Sequence, residues 1–398
     1  MTFFLSVASV LLISRVFNKK RFVFNRIIQA FLNLLNMAGS NPDVIPVNEA
    51  KRFVADCFRS LNVPQKHADL MANLLIAADC RGHFSHGMHR LEIYLHDIQT
   101  SKTDGAAVPT ILKESPCTAW VNGNNGLGAV VGRFCMDLAI KKAKEVGIGW
   151  VCANHSNHYG IAGWYSIQAQ EQGLIGISMT NGGVILCPTR GKEAALGTNP
   201  ISVAAPANNG DGFVLDMATS AVAFGKVELQ RRKQLPITSG WALDKDGDVT
   251  TDAKKAFEAG MLLPLGGLEE TSGYKGYGLC GMVEVMTGIL SNANFATKGR
   301  KWSLDDSSSS EANIGHVFIA INPNCFAPGF TDRMTEMNGI LRNVQPVNEE
   351  KPVLVPGDLE RAYMKKTDEE GGIRYHVNQL KNCDQIAAKH NVSKIGSM

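Results

Sequence analysis

The segment RGHFSHGMHR, residues 81–90, places His83, His86 and His89 at intervals of three, taking three of the chain's ten histidines. Imidazoles set this closely serve as metal ligands, as a proton relay, or as one polar helix face with no chemistry. The residues that follow sharpen the choice. A helix starting near Ser85 would put His86, Arg90 and Tyr94 at i, i+4 and i+8, drifting only about 40° per step and so sharing a face. A titratable ring, a guanidinium and a phenol on one face make a site for a small anionic substrate, because arginine presents the fork a carboxylate prefers. The metal reading has less behind it: His86 and His89 stand at i, i+3, and Glu92 is the one nearby acid to complete a ligand set. A solvated polar helix start is the plain alternative.

A second imidazole pair occurs in NHSNHYGIAGWY, where His155 and His158 close an apolar strand and lead into a helix. The carboxyl end of a strand is where α/β proteins place their chemistry. Between a strand and a helix lies NGNNGLGAVVG, with Gly126, Gly128 and Gly132. That context suits a phosphate-cradling turn. The spacing is GxGxxxG, however, and the next strand, GWVCANHS, ends without the acid that would hold a ribose hydroxyl. No Lys-Ser or Lys-Thr follows, so a Walker-type loop fails as well. Tight strand-to-helix packing is the better reading. LGTNP, DMATS, PTRG, FGK (Lys226) and YKGYG (Lys275) set small residues beside single charges, which lets backbone approach a phosphate or carboxylate closely. Each is weak alone.

These residues need elements to hold them. Helical periodicity runs from Pro46 to about Tyr94, through VNEAKRFVADCFRSL with Asn48 as its cap and a second helix from about Pro64. From Val108 to Thr198 the texture is α/β: TAWVNG, GWVCAN and LIGISMTN read as strands, with helices RFCMDLAIKKAKEVG and IAGWYSIQAQEQG between them. Residues 199–250 read as strands and turns. A helix over Lys275–Leu290, a polar loop over Lys298–Glu311, the strand HVFIAINP, the helix TDRMTEMNGILRNV and one last helix complete the chain.

With 398 residues, 44% hydrophobic and 19% charged, the chain can fill the core of a two-domain globular protein. Its net charge of +3 is unevenly placed: Arg15, Lys19, Lys20, Arg21 and Arg26 stand among residues 1–42 with no acid. The remainder is near neutral, which excludes a nucleic-acid partner held by phosphate contacts. The nine cysteines are scattered without a CxxC pair, against a disulfide framework or zinc ribbon and for a reducing compartment. The apolar run FFLSVASVLLI is shorter than the roughly 20 residues that span a bilayer, so no membrane anchoring is expected. Its basic residues follow it, contrary to a secretory signal. Residues 1–42 are therefore an extension outside the fold, either an amphipathic mitochondrial presequence or a stretch upstream of a start at Met37. The first of these makes the protein mitochondrial, the second cytoplasmic.

In order and spacing, DCRGHFSHGMHRLEIY, NGLGAVVG, NHSNHYGIAG, LIGISMTN, PTRGKEAALGTNPISVAAPA, FVLDMATS, GKVELQRR, GWALDKDGDVTTDA and YKGYGLCGMVE resemble the malate/L-lactate dehydrogenase family of the non-Rossmann type. Sulfolactate and ureidoglycolate dehydrogenases and a cyclic imine reductase belong to it too. The resemblance covers about Val44 to Ile395. It implies an α/β, non-Rossmann NAD(P)-binding fold with a largely antiparallel central sheet and a helical domain built from both chain ends (43–120 with 330–395). Residues 121–329 would form the cofactor domain with a small additional subdomain. It implies homodimers, and oxidation of a small 2-hydroxy acid to the 2-keto acid with NAD or NADP.

By motif, His158 resembles the proton acceptor, Ser85 and His86 the relay of the imine-reducing members, and Arg90 and Tyr94 the substrate-orienting positions. Gly182, Asp216, Met217, Ala218, Lys275, Gly357, Asp358 and Leu359 match cofactor contacts, with Lys226 a softer match. One departure matters. Asn181-Gly182-Gly183-Val184 lacks the acid that some relatives carry at the Gly183 position, and this disfavours cyclic imine reduction, the same-class alternative. A metal-dependent hydrolase using His83, His86 and His89 is the alternative of a different class. The three histidines thus divide: His86 in the site, His83 at its entrance or capping, His89 structural.

Overall fold

A computed structural model describes residues 44–300, 302 and 311–396; the extension expected over 1–42 lies outside the described residues. The α-helices are α1 (Val47–Arg59), α2 (Gln65–Cys80), α3 (Leu91–Gln99), α4 (Gly128–Val146), α5 (Gly163–Gln170), α6 (Phe224–Lys233), α7 (Ala253–Ala259), α8 (Gly273–Glu284), α9 (Phe330–Arg342), α10 (Asp358–Glu369) and α11 (Val377–His390). Seven strands make the central sheet: β1 (Thr110–Glu114), β2 (Thr118–Asn122), β3 (Ile148–Ser156), β4 (Ile175–Thr180), β5 (Ile201–Pro206), β6 (Gly212–Met217) and β7 (Ile314–Ile321). Their spatial order is β1-β2-β3-β7-β4-β5-β6. Only β2 and β3 pair in parallel; every other neighbouring pair is antiparallel. The expected largely antiparallel sheet is what the chain forms.

The late strand β7 slots between β3 and β4, with Val317 opposite both Cys152 and Met179. Its residues divide by face. Phe318 and Ala320 pack with Val131, Met136 and Ala139 of α4, while Val317 and Ile319 join Cys152, Met179 and Val283 of α8. Covering both faces demands a nearly continuous apolar strand, which is how HVFIAI reads. Gly128 explains the GxGxxxG spacing. A Cβ there would stand 2.4 Å from the carbonyl oxygens of Asn157 and His158, so α4 lies directly against the segment bearing His158. The glycines serve close packing, as expected.

α1, α2, α3 and α11 bury Phe53, Phe58, Leu74, Leu75, Leu91 and Ile386 in one cluster, which reaches Val130 of α4. Val44–Ile45 pairs antiparallel with Ile373–Arg374 and ties the two ends of the fold together. A smaller unit has three two-residue strands, Ala242–Leu243, Val249–Thr250 and Met261–Leu262, packed with α6 and α7 around Val227, Ala253 and Leu262.

Several expectations need correction. The boundary expected at residue 120 falls within β2; β1 belongs to the sheet, but its five residues are all exposed, the adjacent apolar pair Ile111 and Leu112 included, so it shows no alternation of buried and exposed positions. The stretch read as strands and turns contains α6, which buries only Val227 and so shows no apolar stripe. α1 begins at Val47 behind Pro46, with no side-chain cap from Asn48. Two helices, α10 and α11, end the chain where one was expected. Among the described residues no helix is long and apolar enough to cross a membrane.

Candidate active site

The SHG segment does not start a long helix. Two short 3-10 turns, Phe84–His86 and Met88–Arg90, precede α3. The cause lies beneath them. Asp79, near the end of α2 and 2% exposed, accepts hydrogen bonds from the Met88 N–H (3.0 Å) and the Tyr375 hydroxyl (2.6 Å). Gly87 sits on the same carboxylate, with φ −92° and ψ −142° breaking the helical path. His86, Arg90 and Tyr94 therefore do not share one helix face. They meet nonetheless, because the folded-back turn aims them at the end of β3.

His158, two residues beyond β3, is their common neighbour. The Tyr94 hydroxyl lies 2.5 Å from its Nδ1, and the Gly160 N–H reaches the same atom at 3.3 Å. An amide N–H can only donate, so Nδ1 accepts and the ring proton belongs on Nε2. The His86 ring stacks at 6.0 Å between centres with planes 21° apart, and Ser85 Oγ lies 2.9 Å from His86 Nδ1. Arg90 donates from Nε to the Ser85 carbonyl at 2.7 Å, which orients its terminal nitrogens as a fork. Burial drives the titration of this group. It pushes His86 down to about 4, with Arg90 and His83 adding repulsion, and lowers His158 well below the usual imidazole value with His86, Arg90 and His316 adding to it. It also raises the Tyr94 phenol. Both imidazoles are neutral at physiological pH.

Beside this cluster a cavity of about 370 Å³ opens along β6 and α10, lined by Arg81, His83, Gly163, Asp216, Gly357 and Arg361 among others. Asp216 accepts the Gly163 N–H at 2.8 Å, and burial pushes its carboxyl up to about 7. Met217 and Ala218 follow it, half-buried. Gly357 ends in the left-handed region at φ +100° and caps α10, so a helix N-terminus opens on the cavity. Asp358 is held in ion pairs with Arg342 (2.8 Å) and with the cavity-lining Arg361 (2.6 Å). Leu359 is exposed.

The family profile described as malate/L-lactate dehydrogenase matches residues 45–383. The chain belongs to this family. A malate dehydrogenase of Pyrococcus abyssi is 40% identical over 353 residues, 87% of this chain and 95% of that protein. An L-sulfolactate dehydrogenase of Methanocaldococcus jannaschii is 39% identical over 345 residues, 86% of this chain and 96% of that one. The solved malate dehydrogenase structure from Pyrococcus horikoshii superposes with a TM-score of 0.80 at 37% identity, covering 89% of this chain and 97% of its own. The protein is thus an oxidoreductase of the hydroxycarboxylate dehydrogenase type.

Not every site residue expected of a malate/L-lactate dehydrogenase is drawn into the cluster by its contacts. Lys226 is exposed at the start of α6, whose Gly225 lies against Ser85. Lys275 is exposed on α8 with its ammonium 5.9 Å from the Tyr274 ring centre. Gly182 lines a separate crevice with Asn181, Asn294 and Arg300. The opening histidines separate as well: His83 lies 3.5 Å from Glu360 and His89 is exposed. Among the described residues no three His, Cys, Asp or Glu side chains gather closely enough to hold a metal ion, so the donor set of a hydrolase is not assembled. His155, the other histidine closing that strand, points outward to Glu311 at 3.3 Å.

Sequence reasoning missed Asp79, His316 and Trp302. His316 is fully buried behind the site, bonded to Thr180 and Ser156 at 2.7 Å each. Burial pushes the Asp79 carboxyl up to about 7 from an ordinary 3.8. The unfolded chain gives up this proton near 3.8, so the stability it contributes below that pH is lost as pH rises to about 7. Asp79→Asn is expected to flatten part of that fall, leaving the share due to Asp216. Urea melts across the window check it; an unchanged pH dependence would show that Asp79 does not titrate there.

Proposed function

We propose that the chain oxidises a small 2-hydroxy acid of the malate or lactate kind to its 2-keto acid with NAD or NADP, and that His158 moves the hydroxyl proton. The observation that carries this reading is the short Tyr94–His158 hydrogen bond, 2.5 Å, with the Arg90 guanidinium fixed on the same segment by its bond to the Ser85 carbonyl. The bound nicotinamide would supply the two-electron acceptor. All else belongs to the chain.

Arg90 grips the substrate carboxylate through its terminal nitrogens, which fixes the hydroxyl carbon relative to His158. With Nδ1 engaged by Tyr94, Nε2 is the ring atom left for the substrate oxygen. In the keto-acid direction the imidazolium, with a proton on each nitrogen, passes its Nε2 proton to the carbonyl oxygen and is left neutral. In the oxidation direction the neutral ring must first shift its own proton to Nδ1, where Tyr94 Oη turns to accept it. The ring then takes the hydroxyl proton at the freed Nε2 lone pair to become imidazolium. Low basicity keeps the imidazole neutral, so the base form is present well into the acidic range. Asp216, Met217 and Ala218, with the backbone at Gly357, suit the cofactor: they line or adjoin a cavity that pairs carboxylates for hydroxyls with a helix N-terminus for phosphate. The Ser85–His86 pair is half of an imine-reducing relay, but glycine at 183 withholds its acid.

We also assign a homodimer to this reading. Met282, Val285, Ile289 and Leu290 are 42–57% exposed along α8 and the turn after it, an apolar stripe that a second copy would cover. Sedimentation at twice the chain mass is the expected result.

Oxidation of a panel of 2-hydroxy acids with each nicotinamide in turn tests the reaction. Turnover of malate or lactate analogues supports it; reduction of piperideine-2-carboxylate without such turnover refutes it. Arg90→Lys replaces the fork by a point charge. The loss of a charged hydrogen bond, worth about 1.5–3 kcal/mol, should raise KM about 10–100-fold with a smaller change in kcat. A KM unmoved by this substitution would remove Arg90 from carboxylate binding.

A further inference from the structure

Trp302 stands in a polar stretch between α8 and β7, yet its indole lies flat against His158, with ring centres 4.0 Å apart and planes 17° apart. Its edge meets Tyr94 at 5.1 Å, and the Arg90 guanidinium carbon is 5.9 Å from its ring centre. The indole therefore touches or approaches each residue to which a proton-transfer or carboxylate-binding role has been given. An anchor holds it there. Trp302 Nε1–H donates to Asp97 Oδ2 at 2.9 Å, and Arg300 donates to the same oxygen at 2.8 Å. The Arg300 and Asp97 side chains are 4% and 5% exposed. Asp97 is one turn beyond Tyr94 on α3, so the residue that hydrogen-bonds His158 and the residue that suspends the indole over it share one rigid element.

We propose that Trp302 is a positioning and specificity residue of the dehydrogenase site, an indole wall that holds the His158 ring in plane and limits the distal group of the 2-hydroxy acid. This rests on reading His158 as the proton-transfer group. With one face covered and Nδ1 bonded to Tyr94, a substrate reaches the imidazole at its Nε2 edge, and a longer or bulkier acid must displace the indole to do so. Two effects of the stack oppose each other. An indole face attracts the imidazolium, while its bulk keeps water from the ring and favours the neutral form. The groups facing His158 are Tyr94 and Asp97 from α3, His86 and Arg90 from the preceding turns, His316 from β7, and Arg300 beside the indole. Asp97 and Arg300 neutralise each other, and Arg90 repels a proton. Burial is the largest contribution to the ring's lowered basicity, so exclusion of water wins.

The test compares Trp302→Ala and Trp302→Phe with the parent enzyme, using malate and a 2-hydroxy acid with a bulky aromatic distal group. Trp302→Ala should raise KM for malate by about tenfold with a smaller change in kcat, and erode discrimination against the bulky acid by about 10–100-fold, the range a pocket wall supplies. It should also move the acid limb of kcat/KM for oxidation upward in pH, as water re-enters. Trp302→Phe, which keeps a ring, should restore all three. If Trp302→Ala does not fold, Trp302→Leu takes its place and is judged by the same readouts, none of which a general loss of stability would shift together. Unchanged KM, discrimination and pH profile, with His158→Ala inactive, would overturn the role of Trp302 and leave the function standing. A fully active His158→Ala would overturn the function itself, and Trp302 with it.

Discussion

Alanine in place of His158 should lower kcat by about 10²–10⁴, the share that a positioned acid–base group contributes. The structure makes the loss specific. Nδ1 is bonded to Tyr94 at 2.5 Å and the ring is stacked at 4.0 Å on Trp302, so no other imidazole can rotate into its place. His86 is the nearest candidate, 6.0 Å away between ring centres and occupied by Ser85 at 2.9 Å. The substitution also strands the buried Tyr94 hydroxyl, a cost of about 1–3 kcal/mol. Lower stability could imitate lower activity, so the variant needs a companion. His158→Gln keeps a polar partner for Tyr94 but no titratable ring; it should recover most of the melting temperature and none of the rate. Cofactor affinity, read by quenching of protein fluorescence with NADH or NADPH, should be unchanged in both. A His158→Ala enzyme that folds and turns over within a few-fold of the parent would remove the proton-transfer role.

Some of this was legible before the structure. His158 stood out because an apolar strand, GWVCAN, ends in a histidine-bearing turn, and β3 runs to Ser156 as that pattern requires. Arg90 and Tyr94 stand one turn apart at the start of α3, as their spacing predicts, and only His86 was placed through a geometry the protein does not use. The spacing of His86 fits the same helix, but the chain turns at Gly87, and His86 joins the other two through tertiary packing. Asp79 was hidden because an acid at the end of ANLLIAADC looks like a surface residue; only the C-terminal Tyr375, 296 positions away, reveals that it is enclosed. Trp302 was hidden for the same reason on a larger scale. A lone aromatic in a polar stretch has no period, and its partner Asp97 is 205 positions distant. The cofactor residues came from family resemblance alone, since the backbone turns that line the cavity at Gly163 and Gly357 carry no side chain to betray them. Where chemistry depends on short-range spacing the sequence is informative; where it depends on distant segments meeting in space, it is silent.

Gly87→Ala should be nearly as damaging as loss of His158, though the residue has no functional group. A Cβ at this position would stand 1.8 Å from Asp79 Oδ1 and 2.3 Å from its Cγ, so one of the two must move. Moving the carboxylate breaks its bonds to the Met88 N–H and the Tyr375 hydroxyl and leaves buried donors unpaired. Moving the turn lifts Ser85, His86 and Arg90 together, because the Arg90 Nε–Ser85 bond of 2.7 Å ties them. Overpacking of this kind costs about 1–3 kcal/mol, which a protein of this size survives. Catalysis tolerates it less, since a misplacement of about 1 Å in a positioning group costs about 10²-fold. We expect kcat/KM to fall by about that factor. The mechanism makes a further demand. In the double variant Gly87→Ala/Asp79→Ala the obstructing carboxylate is gone, so the turn can settle back and kcat/KM should exceed that of Gly87→Ala alone. Simple addition of the two single losses would mean that the glycine is needed for something other than its approach to Asp79.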